Sequence, residues 1–239
     1  MLLGARRNLF ANAAAGRLLA FGSCFAVNIG RVLREKGCSV FTMVIAEDVN
    51  SPFNNDQLLR RIFCGEESNV SQELQAVSGL DFSSLKSEFQ RASDIIFTLG
   101  NIFHLELDGT PTLYAGRRTA LVEESIDETV RHIESIFGLL QAHTNARILA
   151  SISPVPIFGY RGDGFASVEE ADCVSKSQLR TALHAVLKSF PEIRYIPTFE
   201  IFRWLPAHQS FSTFGTDDGN ARHIGQALLK KVLGSIAGS

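Results

Sequence analysis

Five short apolar runs recur along this chain, and segments with helical periodicity separate them. The runs occupy residues 17–21, 39–46, 94–100, 146–152 and 193–196. Runs of this length, bounded by turn-forming residues, are typical of the central strands of a parallel sheet that helices cover on both faces. Parallel strands that alternate with helices are joined by right-handed crossovers. The pattern therefore predicts an α/β fold with a doubly wound, mainly parallel sheet of five strands.

The segments between the runs predict the helices. Apolar residues at helical spacing indicate helices over residues 25–36, 57–63, 125–143 and 175–190, and a last helix that includes Ile224. Asn55 or Asp56 is expected to cap the helix over 57–63. Residues 65–92 are weakly patterned and predict a surface excursion with helical character only around residues 85–89.

A small hairpin is the one feature that does not fit the alternation of strand and helix. Residues 104–114 form two short extended arms about Asp108-Gly109, a pair that favours a tight turn. The chain contains no internal repeat or low-complexity linker. Residues 1–239 are therefore expected to form a single domain with a small hairpin insertion near 104–114.

Composition and charge exclude several classes of protein. The net charge is −2 and the basic pairs are scattered, so no nucleic-acid partner is expected. No apolar stretch approaches the roughly 20 residues of a membrane span, and the N-terminus lacks a signal-peptide pattern. A cytoplasmic location is expected. The four cysteines have no C-x-x-C spacing, which favours reduced thiols and predicts no metal site.

The first apolar run ends at Gly22-Ser23, where a helical pattern begins at once. A serine at this corner lies at the carboxyl end of a buried strand and at the positive end of a helix, where backbone N–H groups can receive a developing negative charge. This is a suitable position for a nucleophile. Cys24 is adjacent and is the alternative, because a thiol at a helix N-terminus can be reactive.

A serine hydroxyl is a weak nucleophile and needs a base. His223 is the best candidate, because it lies at the start of the last helix, after an acidic loop. The third member of a triad orients the imidazole and stabilises its charge. Asp217, Asp218 and Asn220 are all candidates for that role, and each is equally explicable as a helix cap. The spacing does not choose among them.

An oxyanion site needs donors that point at the developing charge. The candidates are the backbone N–H groups of Ser23 and Gly100 and the side-chain amide of Asn101, with Asn54 as a second choice. Ser153 follows the fourth strand and is a further candidate for substrate binding. The carboxyl ends of parallel strands meet at one edge of a sheet, so these residues are expected to converge.

These residues belong to a longer series of motifs. Gly22-Ser23-Cys24-Phe25-Ala26 is followed in order by Phe97-Thr98-Leu99-Gly100, Ser153-Pro154-Val155, Ser175-Lys176-Ser177 with Leu179-Arg180, and Tyr195-Ile196-Pro197 with Phe199-Glu200. In this order and spacing the chain resembles the GSCFA domain family, which is similar to a branch of the SGNH (GDSL-like) hydrolases. The resemblance implies a flavodoxin-like three-layer α/β/α fold and acyl-ester chemistry.

The same resemblance implies that Ser23 is the nucleophile and His223 the base. The superfamily usually has an aspartate three residues before this histidine, where the chain has Asn220. Either Asp217 or Asp218 takes its place, or the site is a Ser-His dyad. Gly100 and Asn101 are adjacent, whereas the superfamily usually has one residue between them.

The leading hypothesis is an esterase or O-acyltransferase that acts on an O-acyl group of a carbohydrate or polysaccharide. The expected partner is a small-molecule or saccharide ester. No cofactor is expected, apart from an acyl donor such as acetyl-CoA if the protein is a transferase. The alternative is a non-catalytic module that binds a glycan or a small anion. A nucleotide-binding module ranks last, because the chain lacks a glycine-rich phosphate loop. The oligomeric state stays open.

Overall fold

The computed structural model describes residues 16–78, 81–157, 159–160, 162–204, 210, 212–217 and 219–237. The described strands are β1 (Arg17–Gly22), β2 (Ser39–Val44), β3 (Asp94–Leu99), β4 (Phe103–Leu107), β5 (Thr110–Thr112), β6 (Thr119–Glu123), β7 (Arg147–Ile152) and β8 (Arg194–Tyr195). The described α-helices are α1 (Cys24–Glu35), α2 (Pro52–Cys64), α3 (Asn69–Ser78), α4 (Phe82–Arg91), α5 (Ile126–His143), α6 (Val168–Val186), α7 (Thr198–Trp204) and α8 (Gln226–Ala237).

Five strands form one parallel sheet in the order β2-β1-β3-β7-β8. All four neighbouring pairs are parallel. Counted along the chain, this is the 2-1-3-4-5 order of a flavodoxin-like doubly wound sheet. The predicted α/β class and the five-stranded parallel sheet are confirmed. The carboxyl ends of β1, β3 and β7 lie at the same edge, so the residues after them are neighbours.

Helices cover both faces of this sheet. Alternate side chains of β1 enter separate cores, with Leu19 and Phe21 on one face and Leu18 on the other. The first core is completed by α2, α4, α5 and α6. The second is completed by α1, α7 and α8. The predicted three-layer arrangement is therefore confirmed.

The predicted hairpin is present as β4 and β5, which turn at Asp108 and Gly109 with φ values of 50° and 78°. A third strand, β6, pairs antiparallel with β4 and was not predicted. The result is a three-stranded sheet in the order β5-β4-β6. The β6 run is short and half-buried, so its sequence does not resemble the fully apolar central strands.

Several predicted helix boundaries are wrong. The helix expected over residues 57–63 begins at Pro52, because Ser51 is the cap and its hydroxyl accepts a hydrogen bond from the N–H of Asn54. Asn55 and Asp56 are buried inside this helix.

The expected surface excursion over residues 65–92 contains α3 and α4. Asp81 caps α4, and Leu85 and Phe89 bury its inner face. The helix expected over residues 175–190 begins at Val168, where Ser167 caps it. The short helix α7 was not predicted. No helix in the described ranges is long and apolar enough to cross a membrane.

The carboxyl group of Glu124 is buried where the small sheet meets the helices. Its Oε1 accepts a hydrogen bond from the N–H of Phe53 at 3.1 Å. Burial is the largest influence and raises the pKa of Glu124 to about 7. The Phe53 N–H and His132 oppose this increase, whereas the carboxylates of Glu128 and Asp56 add to it.

We predict that replacing Glu124 with glutamine removes a pH dependence of stability. The folded pKa of about 7 exceeds the ordinary 4.5, so the folded protein holds the proton more tightly, and stability falls as the pH rises from about 4.5 to 7. The difference corresponds to about 3 kcal/mol. Urea unfolding at pH 5 and pH 8 should show this loss in the parent protein and in Glu123→Gln, which changes an exposed neighbour. An equal loss in Glu124→Gln would contradict the prediction.

Candidate active site

Ser23 lies at the corner between β1 and α1. Gly22 has a φ of 138°, and a Cβ at this position would overlap Thr98 Oγ1, so only glycine fits before the serine. Ser23 is the N-cap of α1, and its Oγ accepts a hydrogen bond from the N–H of Phe25 at 3.3 Å. The predicted strand-to-helix corner is confirmed. The Ser23 side chain is completely buried.

Ser153 follows β7 and is the residue that contacts the Ser23 hydroxyl. Ser23 Oγ donates a hydrogen bond to Ser153 Oγ at 3.4 Å. Ser153 Oγ accepts from the N–H of Val155 at 3.3 Å and donates to Glu47 Oε2 at 3.2 Å. The structure thus brings together two residues that are 130 positions apart, as the strand order predicts.

Glu47 and Lys176 complete this buried group, and sequence reasoning did not identify them. Glu47 lies in a single 3₁₀ turn after β2 (Glu47–Val49), and Lys176 lies on the inner face of α6. Lys176 Nζ donates to Glu47 Oε1 at 3.0 Å and also to the carbonyl oxygen of Gly100. Lys176 and Leu179 share the buried stripe of the helix. A lysine within an apolar stripe was the signal in the sequence.

The oxyanion candidates after β3 are engaged within the protein. The N–H groups of Gly100 and Asn101 both donate to Asn50 O, at 2.9 and 3.1 Å. The Asn101 side chain donates to Glu47 O at 2.6 Å and accepts from the N–H of Phe103 at 2.7 Å. These groups would have to exchange their present partners to bind an oxyanion. Their role as donors stays a prediction.

Asn54, the second choice, lies in the first turn of α2. Its side-chain amide donates to Val49 O at 2.9 Å, and it is buried. This contact fixes the turn that carries Glu47. Within the described part of the chain the Ser23 hydroxyl bonds to Ser153 and Phe25, and Asn54 does not contact it.

His223 lies in the loop before α8, whereas the sequence placed it at the start of the last helix with Ile224 inside that helix. The helix begins at Gln226, whose N–H is capped by Asp217.

The N–H of His223 donates to Asn220 O at 2.9 Å, and the Asn220 amide nitrogen lies 3.5 Å from His223 Nε2. Among described residues, the hydrogen bonds of Ser23 Oγ are those with Ser153 and Phe25, and none joins it to His223. His223 lies in the wall of a cavity of about 340 Å³ together with Cys24, the neighbour of Ser23.

The three candidates for the third triad member differ in the contacts that the structure shows for them. Asp217 Oδ2 accepts a hydrogen bond from the N–H of Gln226 at 2.5 Å, at the start of α8, which is the capping role that the sequence also allowed. Asn220 contacts the imidazole ring. Asp218 lies outside the described residues. An amide donor cannot stabilise an imidazolium as a carboxylate does.

Cys24 is the alternative nucleophile, and its surroundings disfavour the thiolate. Burial, followed by the nearby Glu47 carboxylate, raises the pKa of the Cys24 thiol above its usual value, and Arg222 and Lys176 oppose the increase only partly. The thiolate is the reactive form of cysteine. The electrostatics therefore disfavour Cys24 as a nucleophile.

A second cavity, of about 370 Å³, lies between the small sheet and the turn after β2. Its wall is mainly apolar and includes Phe103, Leu121, Ile157 and Asn101.

Within the described ranges, no three histidine, cysteine or carboxylate side chains are grouped so that they could hold a metal ion.

Comparisons with known proteins give a family and two distant structural likenesses. The chain is similar to a Corynascus thermopiles (Myceliophthora fergusii) carbohydrate esterase family 2 enzyme with a carbohydrate-binding domain, with 12% identity and a TM-score of 0.49 over 95% of this chain and 68% of that chain. It is also similar to the native M. smegmatis aryl esterase, with 13% identity and a TM-score of 0.47 over 93% and 96% of the two chains. No curated protein matches the sequence.

The family comparison covers most of the chain. The model of the GSCFA family matches residues 17–218, from the first strand of the parallel sheet to the loop that precedes His223. The match includes Ser23, Glu47, Ser153 and Lys176, the four residues of the buried group. This protein belongs to the GSCFA family.

Proposed function

We propose that this protein is a serine-dependent acyl-ester enzyme, an esterase or an O-acyltransferase, with Ser23 as the nucleophile. The observation that carries the proposal is the Ser23 hydroxyl at the amino end of α1, hydrogen-bonded through Ser153 to a buried carboxylate. Membership of a family that resembles the SGNH hydrolases supports the same chemistry. The raised pKa of the Cys24 thiol disfavours the neighbouring cysteine as the nucleophile.

In the proposed reaction, Ser23 Oγ attacks the carbonyl carbon of an ester and forms an acyl-enzyme. The carbonyl oxygen becomes an oxyanion, which the positive end of the α1 dipole stabilises. The serine proton passes to a base and then to the departing alkoxide. Water or an acceptor hydroxyl finally takes the acyl group, giving hydrolysis or transfer respectively.

The cavity beside Cys24 supports a polar substrate such as a saccharide ester. Asn28, Arg31 and Gln226 contribute amide and guanidinium groups to its wall. The amides can donate to and accept from sugar hydroxyls, and the guanidinium can donate to them. A saccharide bound here would lie beside Cys24, the neighbour of Ser23, and would contact a wall that includes His223.

Covalent labelling tests the proposal. Incubation with a serine-directed fluorophosphonate, followed by peptide mass spectrometry, should place the adduct on Ser23. Cys24→Ser should label at the same residue, since the thiol takes no part. An adduct on another residue, or no adduct, would overturn the proposed function.

The alternative is a non-catalytic module that binds a glycan or a small anion. One observation favours it: the Ser23 side chain is completely buried. Such a module would bind saccharide in a calorimeter and release no p-nitrophenol from p-nitrophenyl acetate. A burst of p-nitrophenol equal to the enzyme concentration would eliminate this alternative.

A further inference from the structure

The hydrogens of the two buried hydroxyl groups point in one direction. Each serine oxygen accepts a backbone N–H, from Phe25 at Ser23 and from Val155 at Ser153, at 3.3 Å in both cases. The Glu47 carboxylate can only accept, so Ser153 uses its one hydrogen there and has to accept from Ser23. Ser23 therefore donates to Ser153, and Ser153 donates to Glu47.

Glu47 is held as an acceptor at the end of this path. Its Oε2 receives the Ser153 hydroxyl at 3.2 Å and its Oε1 receives Lys176 Nζ at 3.0 Å. Lys176 is completely buried, and Glu47 is 6% exposed. A buried ion pair contributes little net stability compared with apolar residues. Because an apolar pair would fill the same space, we infer that the two charges have a function other than stability.

His223 does not have a comparable connection with Ser23. Its Nε2 is within 3.5 Å of the Asn220 amide nitrogen, and the Ser23 hydroxyl donates to Ser153 instead. The hydroxyl hydrogen would have to rotate away from Ser153 before His223 could accept it. The path through Ser153 needs no such rotation.

We propose that the Ser23 proton leaves through Ser153 to Glu47, an inference that rests on the proposed function. As the bond from Ser23 Oγ to the acyl carbon forms, the Ser23 proton moves to Ser153 Oγ and the Ser153 proton moves to Glu47 Oε2. Glu47 becomes a neutral acid while Lys176 keeps its charge. The proton then returns through Ser153 to the departing alkoxide. Ser153 contacts the reacting oxygen, whereas Glu47 and Lys176 act through it as positioning residues.

The test compares acylation rates, measured from the p-nitrophenyl acetate burst and from fluorophosphonate labelling. Ser153→Ala and Glu47→Gln should slow the acylation of Ser23 by about 10²- to 10⁴-fold, and His223→Ala should slow it less. Ser153→Thr keeps the hydroxyl and should restore most of the rate. A plot of the parent acylation rate against the deuterium fraction of the solvent should be curved, as expected when two protons move in the transition state. The same plot for Ser153→Ala should be a straight line.

A partly buried ion pair outside the site provides the control. Arg147 Nε and Asp94 Oδ1 are 2.6 Å apart at the amino ends of β7 and β3, so Asp94→Asn should leave the acylation rate unchanged. Circular dichroism checks that each variant is folded, and Glu47→Gln combined with Lys176→Met replaces the single variant if that one unfolds.

The possible results test two things separately: the proton relay, which runs from Ser23 through Ser153 to Glu47, and the proposed function on which it rests. Labelling of Ser23 in the parent, with parent-like rates in folded Ser153→Ala and in the Glu47 variant, would overturn the relay and leave the proposed function intact. A larger loss in His223→Ala than in Ser153→Ala would also overturn it. Failure of the parent to label at Ser23 would overturn the proposed function and the relay with it.

Discussion

If Ser23 is the proposed nucleophile, replacing it with alanine is expected to lower the rate of ester cleavage by a factor on the order of 10⁴ or more, as when the nucleophile of a serine protease is removed. Alanine cannot form the acyl-enzyme, so only water attack on bound ester remains. Initial rates with p-nitrophenyl acetate, for the parent and the variant at equal concentration, measure the loss. Cys24→Ser is the matched control, because it changes the adjacent side chain and keeps Ser23.

The effect on folding should be much smaller. Ser23 Oγ accepts the N–H of Phe25 as the cap of α1, and loss of such a cap costs about 1 kcal/mol. A rate loss of 10⁴ corresponds to more than 5 kcal/mol of transition-state stabilisation. A Ser23→Ala variant that cleaves ester at the parent rate would show that the activity arises elsewhere.

The parallel sheet could be predicted from the sequence because its strands are buried on both faces. Each central strand is then a nearly continuous apolar run, as in β3, whose residues are all buried. The weaker elements were missed, or recognised only in part, for the opposite reason. The strand β6 is only partly covered. The helix α4 buries only Leu85 and Phe89, so the sequence indicated helical character around residues 85–89 but not the full helix.

The site was predictable where it depends on strand ends. Ser23 and Ser153 follow β1 and β7, and parallel order alone brings them to one edge. Glu47 could not be found in this way, because an acidic residue in a turn is ordinarily exposed. Its burial depends on Lys176, which arrives from a helix 129 residues later. Predicting the pair would have required the packing of α6 against the turn after β2.

The neighbour of the His223 ring could not be chosen from sequence either. Asp217 and Asn220 are both close along the chain, and the difference lies in the loop conformation. The chain bends so that Asp217 meets the start of α8, which leaves Asn220 beside the imidazole. Sequence spacing contains no information about which of these two contacts a loop will form.

Replacing Lys176 with methionine is expected to lower the free energy of unfolding by about 3–5 kcal/mol, the usual cost of removing one partner of a buried ion pair. Methionine has a similar length and fills the same space, so the loss comes from the ion pair with Glu47 and the hydrogen bond to the Gly100 carbonyl. Glu47 would keep the Ser153 hydroxyl but would lose its cation. Urea unfolding monitored by circular dichroism measures the change.

Lys230→Met is the matched control, because Lys230 pairs with Glu35 on the surface with both side chains about half exposed, and it should cost less than about 1 kcal/mol. The double variant Glu47→Gln with Lys176→Met removes both charges and should recover most of the lost stability. If the losses of unfolding free energy in the two single variants instead add, Glu47 and Lys176 are not coupled. The relay would then lack a carboxylate that is held in place by Lys176. If the double variant is as stable as the parent but acylates slowly, the ion pair contributes to the chemistry at Ser23 and not to stability, because the fold is equally stable without it.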